Sequence, residues 1–214
     1  MASSEKQTRY TTTNTYSVLN SLGDGTRNVW VVLHGIGYLS RYFLKYFEEL
    51  PKEENYIIAP QAPSKYYLNG EYKHVGASWL TKENTIDETE NIMNYLDAVL
   101  EAENLPLDRN LIVFGFSQGV SIATRWVAKR KVACRQLVLY AGGIPDELSS
   151  SDFAVLEKNK TQVTIIVGDK DEYLTEERRK LESDKISKLF RGRAKEIIFK
   201  GGHEIKKELI NQLA

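Results

Sequence analysis

With only one cysteine, Cys134, the chain cannot form an intrachain disulfide framework, and it suits a reducing compartment. Cys134 precedes an apolar run and reads as a small core residue. No excess of either charge is present. The 29 basic and 29 acidic residues cancel, which argues against nucleic acid or an anionic membrane surface as partner. No apolar run approaches the ~20 residues of a membrane-spanning helix; the longest are strand-sized. The opening "MASSEKQTRYTTTNTY" has no apolar core of a secretory signal, so a soluble, cytoplasmic protein is expected. Internal repeats and low-complexity linkers are lacking. A dinucleotide Gly-x-Gly-x-x-Gly and a phosphate loop ending in Lys-Ser/Thr are also absent. A single domain over residues 1–214 is expected, with 1–7 as a flexible tail; that length can bury a substantial core.

What is present is an alternation of short apolar runs and amphipathic segments. Residues 28–34, 56–60, 111–116, 135–141, 161–169 and 195–200 read as strands. Helices are predicted over 40–50, 86–104, 118–130, 176–190 and 204–213. In the second of these, Met93, Leu96 and Leu100 share one face. Continuously apolar strands separated by helices imply a mostly parallel sheet covered on both faces, a three-layer α/β/α sandwich. The Thr- and Tyr-rich N-terminal stretch is expected to add one or two antiparallel edge strands as a hairpin. In such a sheet the ligand lies beyond the C-terminal strand ends.

One of those ends is unusual. The run Leu111–Phe114 stops at Gly115-Phe116-Ser117-Gln118-Gly119, and a helix begins at once. A very tight strand-to-helix turn forces its central residue into a strained conformation. It also needs small neighbours two positions away, and it pushes the central side chain out of the sheet. Ser117 is therefore a candidate nucleophile. A serine hydroxyl needs a base, and the base needs an orienting acid. Of His34, His74 and His203, only His203 lies in a loop after a late strand, within "FKGGHEI". Asp169 and Asp171 both follow the preceding strand, in "TIIVGDKDEYL", and either could orient it. The chain order Ser, Asp, His is that of a strand-turn-helix nucleophile site. An oxyanion formed by attack on a carbonyl requires backbone amides. Gln118, next after the serine, supplies one, and Ile36, between Gly35 and Gly37 in "VVLHGIGYL", the other.

Taken together, the chain resembles the α/β-hydrolases. More narrowly, it is similar to the small carboxylesterases and acyl-protein thioesterases of the phospholipase/carboxylesterase family. The resemblance runs from about residue 28 to the C-terminus. It rests on Leu33-His34-Gly35-Ile36-Gly37, Ala59-Pro60-Gln61-Ala62-Pro63, Ser78-Trp79, Gly115–Gly119, Gly168-Asp169-Lys170-Asp171 and Gly201-Gly202-His203. It implies Ser117 as nucleophile, His203 as general base, Asp171 as the acid and Asp169 as a loop-fixing residue. The Ile36 and Gln118 amides would form the oxyanion hole, and Trp79 would line the pocket mouth. The family usually has Asp where Tyr38 stands, so Tyr38 joins Trp79 as a substrate-binding expectation. It also has Trp-Phe-Asp where this chain has Trp79-Leu80-Thr81, and Pro after the acid where "EYLT" follows Asp171. The catalytic parts are kept and the substrate-facing parts altered.

The implied activity is hydrolysis of carboxylic esters or thioesters of small or medium acyl groups through an acyl-serine, needing no metal or organic cofactor. Lactone or peptide hydrolysis, acyl transfer and non-catalytic ligand binding are the alternatives on this scaffold. The partner is a small ester or acyl substrate; the sequence is compatible with a monomer or a homodimer. The segment 61–85, with Tyr66, Tyr67, Tyr72 and Trp79, is expected to border an open acyl pocket, with no large lid.

Overall fold

Two periodicities build the sheet. Along its strands, residues alternate between two separate apolar cores. Val29, Val31, Leu33, Val113, Leu137 and Ile165 enter one; Trp30, Val32, Ile112, Phe114, Val138 and Ile166 enter the other. A strand that is apolar on both faces must be covered on both. The computed structural model, which describes residues 3–106 and 108–214, shows that cover.

In chain order the strands are β1 (Tyr16–Leu19), β2 (Asn28–Leu33), β3 (Asn55–Pro60), β4 (Ser64–Tyr67), β5 (Val75–Ser78), β6 (Asn110–Phe116), β7 (Gln136–Tyr140), β8 (Gln162–Gly168) and β9 (Lys195–Phe199). The helices are α1 (Ser40–Phe43), α2 (Thr85–Glu103), α3 (Gln118–Arg130), α4 (Ala154–Lys158), α5 (Glu176–Phe190) and α6 (Lys207–Asn211). Seven strands form the main sheet in the order β1-β3-β2-β6-β7-β8-β9; β1 is antiparallel and the rest are parallel. The first core takes Met93 and Leu96 of α2, Val120, Ala123 and Trp126 of α3, and Leu189 and Phe190 of α5. The second takes Phe43 of α1, Phe47, and Ile210 of α6. The result is the expected three layers. Cys134 is buried, as its place before β7 suggests.

Four local features differ from the sequence reading. β1 does not form a hairpin with β2; it pairs with β3, Tyr16 opposite Pro60. Val29 to Leu33 of β2 are all buried, so both its edges are taken by the equally buried β3 and β6. β1, whose Val18 is exposed, suits the sheet edge. The predicted helix over 40–50 is one turn of α-helix followed by a 3-10 turn at Leu44–Phe47. Pro51 disfavours helix at the residue before it, yet Phe43, Phe47 and Leu50 are buried as their spacing implies. The segment 61–85 is not wholly irregular. It holds a second sheet of β4 and β5, whose connection includes Asn69 and Gly70, both at positive φ. The pair makes a tight turn, with the Glu71 amide donating to the Leu68 carbonyl (3.2 Å), and Asn-Gly is the sequence signal for such a turn. The helical stretch at 150–158 begins with a capping box between Ser149 and Asp152, a pattern readable in "SSSD".

Of the expected 1–7 tail, Met1 and Ala2 lie outside the described residues, while Gln7 bonds Asp87 at 2.9 Å. Among the described residues no large lid covers the C-terminal strand ends, and no helix is long and apolar enough to cross a membrane.

Candidate active site

At the junction of β6 and α3 the chain reverses within one residue. Ser117 has φ 52° and ψ −118°, a conformation that costs a non-glycine residue on the order of 1–3 kcal/mol. Close packing holds it there. The Ser117 amide donates to the Tyr140 carbonyl (2.9 Å). A Cβ on Gly119 would lie 2.0 Å from the Leu33 carbonyl oxygen, so α3 can approach the end of β2 only with glycine at that position. Gly142, after β7, is under the same constraint: a Cβ there would lie 2.2 Å from the Ser117 carbonyl oxygen. The Gly-x-Ser-x-Gly pattern signals the first contact. The second is a contact between distant segments and carries no local signature.

The serine hydroxyl meets a histidine from 86 positions further along the chain. Ser117 Oγ lies 2.9 Å from His203 Nε2, and His203 Nδ1 lies 2.8 Å from Asp171 Oδ2. A carboxylate only accepts, so Nδ1 carries the proton and Nε2 is left to receive the serine proton. The Asp171 side chain is wholly buried, and its other oxygen accepts from the Tyr173 amide (2.9 Å). The His203 ring is held between Phe116 and the edge of Tyr173, with centroids 5.2 and 4.7 Å away. Asp169 does not reach the imidazole. Its Oδ1 accepts from the Gly201 amide (2.9 Å), while the Lys170 amide donates to the Gly201 carbonyl (2.9 Å). The two loops that carry Asp171 and His203 are thereby tied together. His74 is exposed and takes no part in this chain of bonds.

His34, buried beneath the loop after β2, has a different task. Its Nε2 accepts from the Ala62 amide (3.1 Å), so the protonated Nδ1 donates to the Gly35 carbonyl (2.8 Å). Burial disfavours the imidazolium and lowers its pKa from 6.5 to about 4. The Gly35 carbonyl also accepts from the Tyr38 amide (3.3 Å). A planar trans peptide then turns the Ile36 N–H the opposite way, out of the His34 layer. The Gly37 amide is already engaged by the Ala77 carbonyl (2.8 Å). The Gln118 amide stands in the first turn of α3, where no intrahelical acceptor exists. Among the described residues the amides of Ile36 and Gln118 are thus left without an acceptor. Both residues, with Ser117 and His203, line a cleft of about 930 Å³.

Tyr38 lines the same cleft, and its hydroxyl pairs with that of Tyr46 (3.1 Å); burial raises its pKa. Trp79 is corrected from pocket mouth to scaffold. It is 1% exposed, and its indole N–H donates to the His34 carbonyl (2.8 Å). An indole needs an acceptor when buried, and this one is the last carbonyl before the Gly35–Gly37 loop. The sequence reading missed the Gln118 side chain. Its oxygen accepts from the Trp79 amide (2.8 Å) and its nitrogen donates to the Leu80 carbonyl (2.7 Å). One residue therefore offers a backbone donor to the cleft and a side chain that braces the segment after β5. Among the described residues, no group of three or more His, Cys, Asp or Glu side chains is placed to hold a metal ion.

The model of the Phospholipase/Carboxylesterase family matches residues 14–214. Among solved structures, acyl-protein thioesterase 2 of Zea mays superposes with a TM-score of 0.67 at 17% identity, over 94% of this chain and 96% of that one. The phospholipase/carboxylesterase of Dyadobacter fermentans gives 0.63 at 20% identity, over 95% and 97%. The Bacillus cereus carboxylesterase gives 0.62 at 16%, over 92% and 90%. A comparison with curated protein sequences finds no match. The family match across nearly all of the chain, together with its mostly parallel sheet, places it: the chain belongs to the phospholipase/carboxylesterase family of hydrolases and has the α/β-hydrolase fold.

Proposed function

We propose that the protein is a serine esterase that cleaves carboxylic esters, and thioesters of the same acyl groups, through an acyl-serine. The observation that carries this reading is the unbroken chain of bonds from Ser117 Oγ through His203 to Asp171. Ser117 Oγ attacks the substrate carbonyl carbon while its proton passes to His203 Nε2. The carbonyl π pair moves to oxygen, and the Ile36 and Gln118 amides donate to that oxyanion. As the carbonyl re-forms, the bond to the alcohol or thiol breaks and the imidazolium returns the proton to the leaving group. Water, deprotonated by His203, then attacks the acyl-serine; the carboxylic acid leaves and Ser117 regains its proton. Asp171 keeps Nδ1 protonated and stabilises the imidazolium throughout. No member of this set is missing, so no observation favours a non-catalytic role.

The test is covalent. A fluorophosphonate probe should label the folded protein, with the adduct on Ser117 by peptide mass, and the Ser117→Ala variant should take no label and hydrolyse no ester. Unlabelled Ser117 in protein with a normal melting transition would refute the reading. A panel of 4-nitrophenyl esters of increasing length then sizes the acyl group.

A further inference from the structure

The cleft around Ser117 is not an apolar channel. Beside Phe116, Ile144, Pro145 and Leu174 its lining carries seven charged side chains, and the charges do not all cancel. Arg125 Nε meets Glu147 at 2.7 Å. Lys185 Nζ meets Asp146 at 2.5 Å and Glu182 at 3.5 Å. Those two cations engage all three carboxylates that line the cleft. Two further cations, Lys82 and Arg178, line it with no carboxylate within 4 Å among the described residues.

Arg178 is the better placed. It stands in the first turn of α5, and its Nη1 donates to the Tyr173 carbonyl (3.3 Å). That contact fixes the guanidinium but uses one of its five N–H groups. Its Nη2 lies 3.5 Å from where a Cβ on Gly143 would stand, and Glu182 Oε1, which meets Lys185, lies 3.2 Å from the same point. Gly143 adjoins Gly142, which packs on the Ser117 carbonyl. The guanidinium thus stands beside Gly143, one residue removed from a direct neighbour of the nucleophile. Lys82 enters from the segment after β5, which the Gln118 side chain braces through Leu80.

We propose that this cleft selects esters bearing a second, anionic group, a carboxylate in the acyl or the alcohol portion, bound by Arg178 with Lys82. The proposal rests on the esterase reading and names the substrate class of that site. A guanidinium that no carboxylate engages within 4 Å can match one in two parallel bonds, and a flexible ammonium adds charge from another wall.

Two matched pairs test this: 4-nitrophenyl hydrogen glutarate against 4-nitrophenyl pentanoate for the acyl side, and 4-acetoxybenzoate against phenyl acetate for the alcohol side. The acid should be preferred in kcat/KM by about tenfold or more in at least one pair, as a charge-assisted contact implies. In that pair Arg178→Gln should lower the acid-to-neutral ratio about tenfold, Lys82→Gln should lower it less, and added salt should erode it. Lys82 is exposed, so its variant keeps the test open if Arg178→Gln fails to fold. Neutral esters preferred or equalled in both pairs would overturn the substrate class and leave the esterase reading intact. So would a ratio unmoved by either variant. Absence of turnover on all four esters, with Ser117 unlabelled, would remove both.

Discussion

Replacing Gly119 by alanine tests the geometry of the site more sharply than removal of a reacting group. The added methyl group would start 2.0 Å from the Leu33 carbonyl oxygen and 2.9 Å from that of His34. Real Cβ atoms essentially never approach closer than 3.0 Å, so α3 and the end of β2 must separate by about 1 Å. Alanine also gains ~1 kcal/mol of helix propensity over glycine, and α3 begins just before this position. Overpacking costs typically 1–3 kcal/mol, so the clash outweighs the gain and the net loss is at most ~2 kcal/mol. For a chain of this size that lowers Tm by several degrees, about 2–4 °C per kcal/mol. The effect on rate is larger. Gln118 N–H moves with α3 and Ile36 N–H follows β2, so the separation widens the gap in which the oxyanion must sit. Misplacement by about 1 Å costs on the order of 10²-fold, similar to the loss of one oxyanion donor. The assay pairs a thermal melt with kcat on 4-nitrophenyl acetate. Gly23→Ala is the control, since nothing lies within 4 Å of a Cβ there. A Gly119→Ala protein that melts a few degrees low yet keeps kcat within about threefold of the parent would refute the packing argument.

Two further predictions use the buried groups around the site. Asp171→Ala should lower kcat at least ~10²-fold by releasing the imidazole, whereas Asp169→Ala should lower it far less, since Asp169 bonds only a backbone amide of the neighbouring loop; the opposite ranking would exchange their roles. His34 sets a pH dependence of stability. Its folded pKa, about 4, lies below the ordinary 6.5, so the unfolded chain takes up this proton first as pH falls. Its contribution is constant above pH 6.5, declines as pH drops toward 4, and amounts to ~3 kcal/mol over that window. Urea unfolding at pH 7 and pH 4.5 should show this loss in the parent and a smaller one in His34→Asn. Equal losses would place the effect elsewhere.

Much of this was legible in the residues alone, for local reasons. Apolar runs with intervening amphipathic segments determined a parallel sheet covered on both faces, because such strands have no other way to bury both sides. The glycines around Ser117 determined a tight elbow, because only their absent side chains allow it. Tertiary structure decided what depends on segments far apart in the chain. The choice between Asp169 and Asp171 turned on which carboxylate faces a histidine more than 30 positions away, and spacing along the chain cannot distinguish two acids two residues apart. The partner of β1 was decided by the need of β2 to bury both its edges. Trp79 looked like a pocket residue by its place in a motif, and became scaffold because an indole buried beneath the loop finds its acceptor at His34. The charge of the cleft was likewise hidden in a neutral composition: Arg125 and Lys185 are matched by carboxylates across it, while Arg178 and Lys82 are not, and only the folded chain determines which charges meet.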